Sequence, residues 1–250
     1  MSQAHFDYLL RLGDTSLVLA QQLGEWVGHA PALEEDLGLA NIALDLLGQA
    51  RLLLSYAGEL EGCGRDEDAL AFLRDVPQFR NLALAEQPNG DFAATIVRQF
   101  LLDAYQRELY GDLSHSKDGR LAGIAAKALK ETQYHWRFSS RWLVRLGDGT
   151  EESHRRVELA LAELWPYTNE MFDVDATDRA MEEAGVGPSL AAIEPRWRAA
   201  VLAILVEATL VAPKDRGKLT AGKRGLHGEA LGFLLADMQF LQRAYPGAQW

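Results

Sequence analysis

Four carboxylate side chains occur near the middle of long segments with helical apolar periodicity, namely Asp14, Asp45, Asp103 and Glu131. Four-helix bundles that bind two iron ions carry their ligands in this way, with a Glu on each of two helices and a Glu-x-x-His pair on each of the other two. Each acid lies roughly 13 to 17 residues from the turn of its predicted hairpin, which places all four at a similar depth. The acids therefore indicate a scaffold built like a metal-dependent oxidase.

The histidines that such a centre requires are missing from the pattern. Gly48 lies three residues after Asp45, and Tyr134 lies three residues after Glu131. His135 comes one residue too late, which turns its side chain about 100° further round the helix. We therefore expect no metal ion here and interpret the set as degenerate ligand positions, namely Asp14, Asp45, Gly48, Asp103, Glu131, Tyr134 and His135.

The same acids could instead belong to solvated helix faces. On the second predicted helix, Asp45 lies in one stripe with Gly38, Asn41, Gly48, Gln49 and Leu52. Arg107 and Lys127, each one turn from an acid on its own helix, are the cations available for pairing. Acids that are buried must be paired or protonated, since an isolated buried charge is very costly. A buried polar layer inherited from a metal site and solvated faces both remain open from the sequence.

Composition and charge limit the class of protein. The net charge of −11 argues against general nucleic-acid binding. The segment considered for a membrane span, residues 199–212, is shorter than the roughly 18 residues required and contains Glu207, so we expect a buried helix and no membrane contact. Because no signal peptide is recognised and the single cysteine, Cys63, cannot form an internal disulfide, we expect a cytoplasmic protein.

Apolar residues recur at helical spacing along the chain, and no run of alternating residues predicts a strand. The predicted fold class is therefore all-α. Breaks at Pro31, at residues 88–90 and at residues 147–149 separate the longest helices. The predicted helices span residues 5–27, 33–61, 91–113, 118–146, 151–172, 188–211 and 226–244, with short helical segments near 66–74 and 175–185.

The lengths of the connections predict the topology. Only a few residues join the first long helix to the second and the third to the fourth, so each pair should form an antiparallel hairpin. Roughly thirty residues separate the two hairpins, and a connection of that length can cross a bundle. We expect a ferritin-like four-helix bundle core, with a long crossover between helices two and three and extra C-terminal helices. No linker composition interrupts the chain, so residues 1–250 are expected to form a single ferritin-like domain.

Several segments resemble the C-subunit family of bacterial phenylacetyl-CoA epoxidase. The N-terminal half carries LRLGD, LGEW, LANI, DLLGQAR and EQPNG at residues 10–14, 23–26, 39–42, 45–51 and 86–90. The C-terminus carries GLH, MQFLQR and PGAQW at residues 225–227, 238–243 and 246–250. The resemblance extends over essentially the whole chain.

The resemblance implies a non-catalytic structural subunit of a multicomponent di-iron monooxygenase. That enzyme adds one oxygen atom of O2 to the aromatic ring of phenylacetyl-CoA during aerobic phenylacetate degradation. The implied partners are a homologous catalytic A subunit that holds the di-iron centre, a small B subunit, and a reductase with flavin and an iron–sulfur cluster. The resemblance implies no cofactor in this chain itself, which agrees with the missing histidines.

A basic segment near the C-terminus departs from the acidic character of the chain. Its basic residues, and the histidine at the start of the last predicted helix, are Lys214, Arg216, Lys218, Lys223, Arg224 and His227. Basic side chains beside a helix N-terminus can bind phosphate or carboxylate groups. We expect these residues to contact an anion, such as the phosphates of CoA, or an acidic partner surface. A solvated loop without a ligand is the alternative.

Two other functions remain open from the sequence. The chain could be a carboxylate-rich metal-binding oxidase that is active on its own, with Asp14, Asp45, Asp103, Glu131 and His135 as ligands. Carboxylates alone suit hard ions such as Mg²⁺ or Mn²⁺ better than a redox di-iron centre. The chain could also be a self-contained helical homodimer. The second predicted helix is apolar nearly all round, which predicts an interface with another chain.

Overall fold

The fold consists of α-helices and short connections, and the computed structural model describes residues 3–214 and 220–248. The α-helices in these residues are α1 (Gln3–Glu25), α2 (Leu33–Glu61), α3 (Glu67–Phe72), α4 (Phe92–Leu113), α5 (Gly119–Gly147), α6 (Glu151–Leu164), α7 (Ala176–Ala184), α8 (Leu190–Glu207) and α9 (Glu229–Ala244). Segments of 3₁₀ helix span Val76–Gln78, Trp165–Phe172 and Gly222–Arg224. The predicted all-α class is confirmed.

The predicted helix boundaries agree with the structure along most of the chain, and α2 begins and ends at the predicted residues. Two predicted helices were too long. The helix predicted at 151–172 changes from α6 to 3₁₀ geometry, because Pro166 has no backbone N–H to donate back into the helix. The helix predicted at 188–211 ends earlier, as α8, and Thr209 then adopts a left-handed conformation with φ of 59°.

Four long helices form the centre of the fold. The most extensive helix contacts are those of α1 with α2 and of α4 with α5. α2 runs antiparallel to α5, since Gly38 packs against the Phe138 ring and, further along α2, Tyr56 donates a hydrogen bond to Asp118 at 2.6 Å. The start of α1 lies beside the end of α2, where His5 contacts Tyr56. The start of α4 lies beside the end of α5, where Phe92 contacts Trp142. The structure therefore contains two antiparallel hairpins joined by the crossover at residues 62–91.

Local capping signals set the lengths of these helices. Asp91 accepts a hydrogen bond from the N–H of Ala94 at the start of α4, at 2.9 Å. Asp118 accepts one from the N–H of Leu121 at the start of α5, at 3.0 Å. Such side-chain acceptors satisfy N–H groups that have no partner inside the helix. Gly62 follows α2 with a φ of 69°, a left-handed conformation that ends the helix.

The outer helices pack against α1, α3, α4 and α5. α6 and α8 lie against α4, where Trp197 donates its Nε1–H to the carbonyl of Leu101 at 3.1 Å. α7 lies against α1, and α9 lies against α3 and α1. Gln239 of α9 donates to the carbonyls of Ala71 and Arg74 at 2.9 and 3.0 Å. The crossover is therefore fixed to the bundle from its outer side.

Among the described helices, α2 has the length and apolarity of a membrane span, with a mean hydropathy of 1.4. The segment nearest to a membrane span by length and composition is therefore α2 and not, as the sequence predicted, residues 199–212. Half of the apolar window of α2 is buried inside the protein, where the helix packs against α1 and α5. The core helix of a soluble bundle passes the same test of length and composition.

Candidate functional site

Asp14 lies in the middle of α1 with no solvent exposure. Both of its oxygens accept hydrogen bonds from the guanidinium of Arg74 in the crossover, Oδ2 at 3.0 Å. The backbone N–H of Arg80 also donates to Oδ2, at 2.8 Å. Arg74 is itself buried and lies over the Phe79 ring, 4.3 Å from its centre. Asp14 is therefore a fully paired carboxylate that ties α1 to the crossover.

Asp103 of α4 is also fully buried, but its partners are uncharged. Gln99 donates to Oδ1 at 2.6 Å, and the Ser139 hydroxyl of α5 donates to Oδ2 at 2.7 Å. Burial raises the pKa of Asp103 to about 8, although both hydrogen bonds act in the opposite direction. The side chain is therefore a neutral carboxylic acid at about pH 7, which is a poor metal ligand.

His135 of α5 is completely buried, and its Nε2 lies 3.0 Å from Oδ2 of Asp45 on α2. Burial lowers the pKa of His135, against the opposing effect of Asp45, so the ring is mainly neutral at about pH 7. The neutral ring donates its Nε2–H to Asp45. Nδ1 is then a buried acceptor without a partner among the residues that the structure describes. His135, which lies one residue too late to form a Glu-x-x-His pair with Glu131, therefore joins α5 to α2 through Asp45.

The positions where imidazoles were missing do not face the protein interior. Tyr134 is 40% exposed, so a histidine there would lie at the surface. Gly48 has no neighbouring atom within 4 Å of the site of a Cβ. Glu131 accepts a hydrogen bond from Gln49 at 3.0 Å and pairs with Lys127 at 3.6 Å. Gly48 and Tyr134 therefore lie beside the pairs that Glu131 and His135 form, and they take no part in those hydrogen bonds.

These contacts form a row across the bundle, which we call the polar ladder. Its members are Glu131 with Gln49, His135 with Asp45, and Ser139 with Asp103 and Gln99. The polar ladder joins α5 to α2 and α4 at successive helical turns, and Asp14 is engaged separately by Arg74. Within residues 3–214 and 220–248, no group of three or more His, Cys, Asp or Glu side chains is placed to hold a metal ion. The residues present do not fit a di-iron centre.

The cations predicted from helical spacing have different roles. Lys127 pairs with Glu131, as predicted. Arg107 pairs with Glu108 at 2.7 Å instead and stacks on the Trp136 ring, 4.7 Å from its centre. Asp103 therefore has no cationic partner on its own helix. Its carboxyl group is neutralised by a proton and not by an ion pair.

The basic segment is bound into the protein by carboxylates, which corrects the prediction of an open anion contact at Lys223 and His227. Lys223 is 6% exposed, and its Nζ donates to Asp178 at 3.0 Å and to the carbonyl of Asp173 at 2.5 Å. Arg224 is half exposed and pairs with the Asp173 side chain at 3.1 Å. An ammonium group that is buried and paired in this way has no open position for a phosphate.

His227 is enclosed as well. Its Nδ1 lies 2.7 Å from Oε2 of Glu86, and its Nε2 lies 3.0 Å from the carbonyl of Phe79. Burial acts to lower its pKa, but Glu86 and the Phe79 carbonyl outweigh burial and raise it. Of the remaining predicted contacts, Lys214 is exposed, and Arg216 and Lys218 lie outside the described residues. The segment therefore fastens α9 to the crossover.

A second buried cluster was missed by the sequence analysis. Arg11 of α1 donates to Asp175 and Asp178 at the start of α7, in each case at 3.0 Å. Lys223 joins the same cluster through Asp178. The Asp-x-x-Asp spacing does signal the start of a helix, where both acids also cap backbone N–H groups. Nothing local signals the partner Arg11, which lies more than 160 residues away in the sequence.

α2 exposes a set of leucines at helical spacing, which we call the leucine row. Its members and exposed fractions are Leu33 (69%), Leu37 (55%), Leu44 (66%) and Leu47 (43%). The opposite face of α2 is buried against α1 and α5. An exposed apolar stripe of this length is unusual on a monomeric protein and marks an interaction surface.

Comparison with known proteins identifies the family of this chain. The chain matches the family described as phenylacetic acid catabolic protein over residues 1–250. It belongs to that family. One relative, the C subunit of 1,2-phenylacetyl-CoA epoxidase from Escherichia coli (strain K12), is 55% identical over 243 residues, or 97% of this chain and 98% of the relative. The resemblance stated from the sequence is confirmed.

Proposed function

We propose that the chain is a non-catalytic structural subunit of a multicomponent di-iron monooxygenase that epoxidises the ring of phenylacetyl-CoA. It supports a homologous catalytic subunit, which holds the di-iron centre, and works with a small subunit and a flavin and iron–sulfur reductase in the cytoplasm. The 55% identity to the C subunit of an epoxidase over nearly the whole length supports this role. The two long helical hairpins are consistent with a single ferritin-like domain over residues 1–250.

The engagement of the carboxylates is the observation that carries the non-catalytic role. Asp14 is held at both oxygens by Arg74, and Asp103 is a neutral acid held by Gln99 and Ser139. A metal ion at these positions would have to displace a buried guanidinium and deprotonate a buried acid. The bundle interior therefore serves to hold helices together rather than to support oxygen chemistry.

The leucine row supplies the surface for the catalytic partner. Covering it removes apolar area from water, which favours association by about 25 cal/mol for each Å² buried. Permanent interfaces between subunits typically bury upwards of roughly 2,000 Å². α2 spans 29 residues, or about 44 Å, and is anchored by α1 and the polar ladder, so it contributes a long and rigid part of such an interface. A rigid platform lowers the entropic cost of ordering an interface.

Replacing two leucines of the row tests this function. The double variant Leu37→Gln/Leu44→Gln on α2 keeps helix propensity and removes apolar surface. The control is Leu159→Gln/Leu241→Gln, which makes the same change on α6 and α9, where these leucines are 53% and 45% exposed. Each protein is mixed with the catalytic subunit from the same organism, and the molar mass is measured by size-exclusion chromatography with light scattering. We expect the α2 variant to lose the complex and the control to retain it. Equal complex formation by both would overturn the assignment of the interface.

The same measurement tests the homodimer alternative, and iron analysis tests the oxidase alternative. The leucine row would also suit a homodimer, which would show as a stable dimer of this chain that does not exchange for the catalytic subunit. A metal-binding oxidase active on its own would retain close to two iron atoms per chain after anaerobic reconstitution. We expect no stoichiometric iron, since the carboxylates are already engaged.

A further inference from the structure

The solvent-facing side of α5 has a charge opposite to that of the whole protein. α5 contains six basic side chains, Arg120, Lys127, Lys130, Arg137, Arg141 and Arg145, and the single acid Glu131. The full chain, in contrast, has a net charge of −11. A basic helix in an acidic protein is a localised electrostatic feature with a strong local field.

Aromatic side chains lie beside the arginines in the second half of this helix. Tyr134, Phe138 and Trp142 recur every four residues, and Arg137, Arg141 and Arg145 recur with the same period next to them. Together these six side chains line a shallow depression along α5, which we call the basic–aromatic face. The Arg145 guanidinium lies over the Trp142 ring, 5.1 Å from its centre.

The arginines of this face have no acidic partner in the part of the chain that the structure describes. At the other end of α5, Arg120 pairs with Glu59, and Lys127 pairs with Glu131. Three like charges spaced four residues apart repel each other on a helix. An anionic surface from outside the chain would remove this repulsion.

The basic–aromatic face contacts α2, the helix that carries the leucine row. Phe138, one of its six side chains, packs directly on Gly38 of α2. Leu37 of the leucine row is the neighbour of Gly38 in the sequence and is 55% exposed. α2 and α5 are therefore packed neighbours, and α2 carries the exposed leucines while α5 carries the arginines and aromatic rings.

We propose that the basic–aromatic face binds an acidic surface of the catalytic subunit, the same partner that covers the leucine row. This inference rests on the proposed function and adds the chemistry of the partner. A single helix lines the depression, whereas sites for small molecules are concave and usually formed by several elements. Arg, Tyr and Trp beside an apolar patch form the composition of a protein interface.

The face has two physical effects on assembly. An acidic partner is repelled by most of this protein, so local attraction at α5 selects the orientation in which the two subunits meet. Complementary charges at the edge of an interface mainly raise the association rate, and salt screens the effect. The leucine row then contributes most of the lifetime of the complex.

Association kinetics at different salt concentrations test the proposal. The full-length chain is compared with Arg137→Gln/Arg141→Gln, with the conservative Arg137→Lys/Arg141→Lys, and with a control that also removes two positive charges, Arg155→Gln/Arg179→Gln. Both control residues are exposed; Arg179 lies on α7, which packs against α1, and Arg155 lies on α6, which packs against α4 and α5. The binding partner is the purified catalytic subunit from the same organism, and rates are measured by stopped-flow at about 50 and about 500 mM NaCl.

We expect the Gln variant to associate about tenfold more slowly at low salt, with a difference of less than about twofold at high salt. The Lys variant and the control should stay within about threefold of the unaltered chain. An unchanged rate and salt dependence for the Gln variant would overturn this inference while leaving the proposed function intact. Failure of the unaltered chain to bind the catalytic subunit would overturn both. Arginine-dependent binding to anionic vesicles or to a second copy of this chain, with catalytic-subunit binding unaffected, would also overturn the inference.

Discussion

Replacing Asp103 with asparagine should stabilise the protein, and the gain should grow with pH. The unfolded chain ionises this carboxyl with an ordinary pKa of 3.8, whereas burial raises the folded-state pKa to about 8. The folded state therefore holds a proton that the unfolded state releases between these two values. Stability from this group is fully present below about pH 4 and is lost as the pH rises towards about 8.

The size of the effect follows from the same two pKa values. At pH 7 the unfolded carboxyl lies about 3 pH units above its pKa, and each unit corresponds to about 1.4 kcal/mol. Keeping Asp103 protonated thus costs the folded state about 4 kcal/mol at pH 7, as an upper bound. Asparagine removes this cost because it is neutral in both states. Its amide N–H can bond the Gln99 Oε1 atom, which has no partner among the described residues, after a rotation of the Gln99 amide.

Urea unfolding of the two proteins between about pH 5 and about pH 8 measures the difference. We expect the stability gain of Asp103→Asn to increase by about 1 kcal/mol for each pH unit in this range. Asp68→Asn, which alters an exposed aspartate of α3, is the matched control and should show no such trend. A gain that does not change with pH, or a variant that becomes relatively less stable at high pH, would refute the assignment of a neutral buried acid.

Two further substitutions test the packing around the candidate site. Arg74→Met should lower the free energy of unfolding by about 3–5 kcal/mol, because it leaves the buried Asp14 carboxylate unpaired. The double variant with Asp14→Asn should recover part of the loss, and a loss below about 1 kcal/mol in the single variant would contradict the pairing. Gly58→Ala should destabilise by about 1–3 kcal/mol, since its Cβ would lie 2.1 Å from the backbone carbonyl oxygen of Arg65. Gly48→Ala on the same helix meets no atom within 4 Å and should be neutral or stabilising in the same urea titration.

The sequence predicts the helices well because their signals are local. Apolar periodicity and the turn near Pro31 give the limits of α2 to the residue. Local signals fail where the backbone geometry changes without a change in periodicity. Residues 165–172 keep a helical pattern of apolar side chains, yet Pro166 moves them into 3₁₀ geometry.

The candidate site is less predictable, because its partners come from distant parts of the chain. The burial of Asp14 and Asp103 agrees with the polar-layer interpretation, whereas Asp45 is partly exposed. Arg74 reaches Asp14 from 60 residues away, and no spacing rule identifies it. The charge of Lys223 suggested an open anion contact, but tertiary packing supplies a carboxylate to it instead.

The rate of phenylacetyl-CoA epoxidation tests the claim that this chain supports the catalytic subunit without catalysing the reaction itself. The catalytic subunit, supplied with the small subunit, the reductase, O2 and a fixed concentration of substrate, is titrated with this chain while the ring epoxide is quantified. We expect a rate that rises with added chain and reaches a plateau when the two subunits are present in the ratio of their complex. We also expect no turnover by this chain alone. A rate that does not depend on the chain, or turnover by the chain without the catalytic subunit, would contradict the claim.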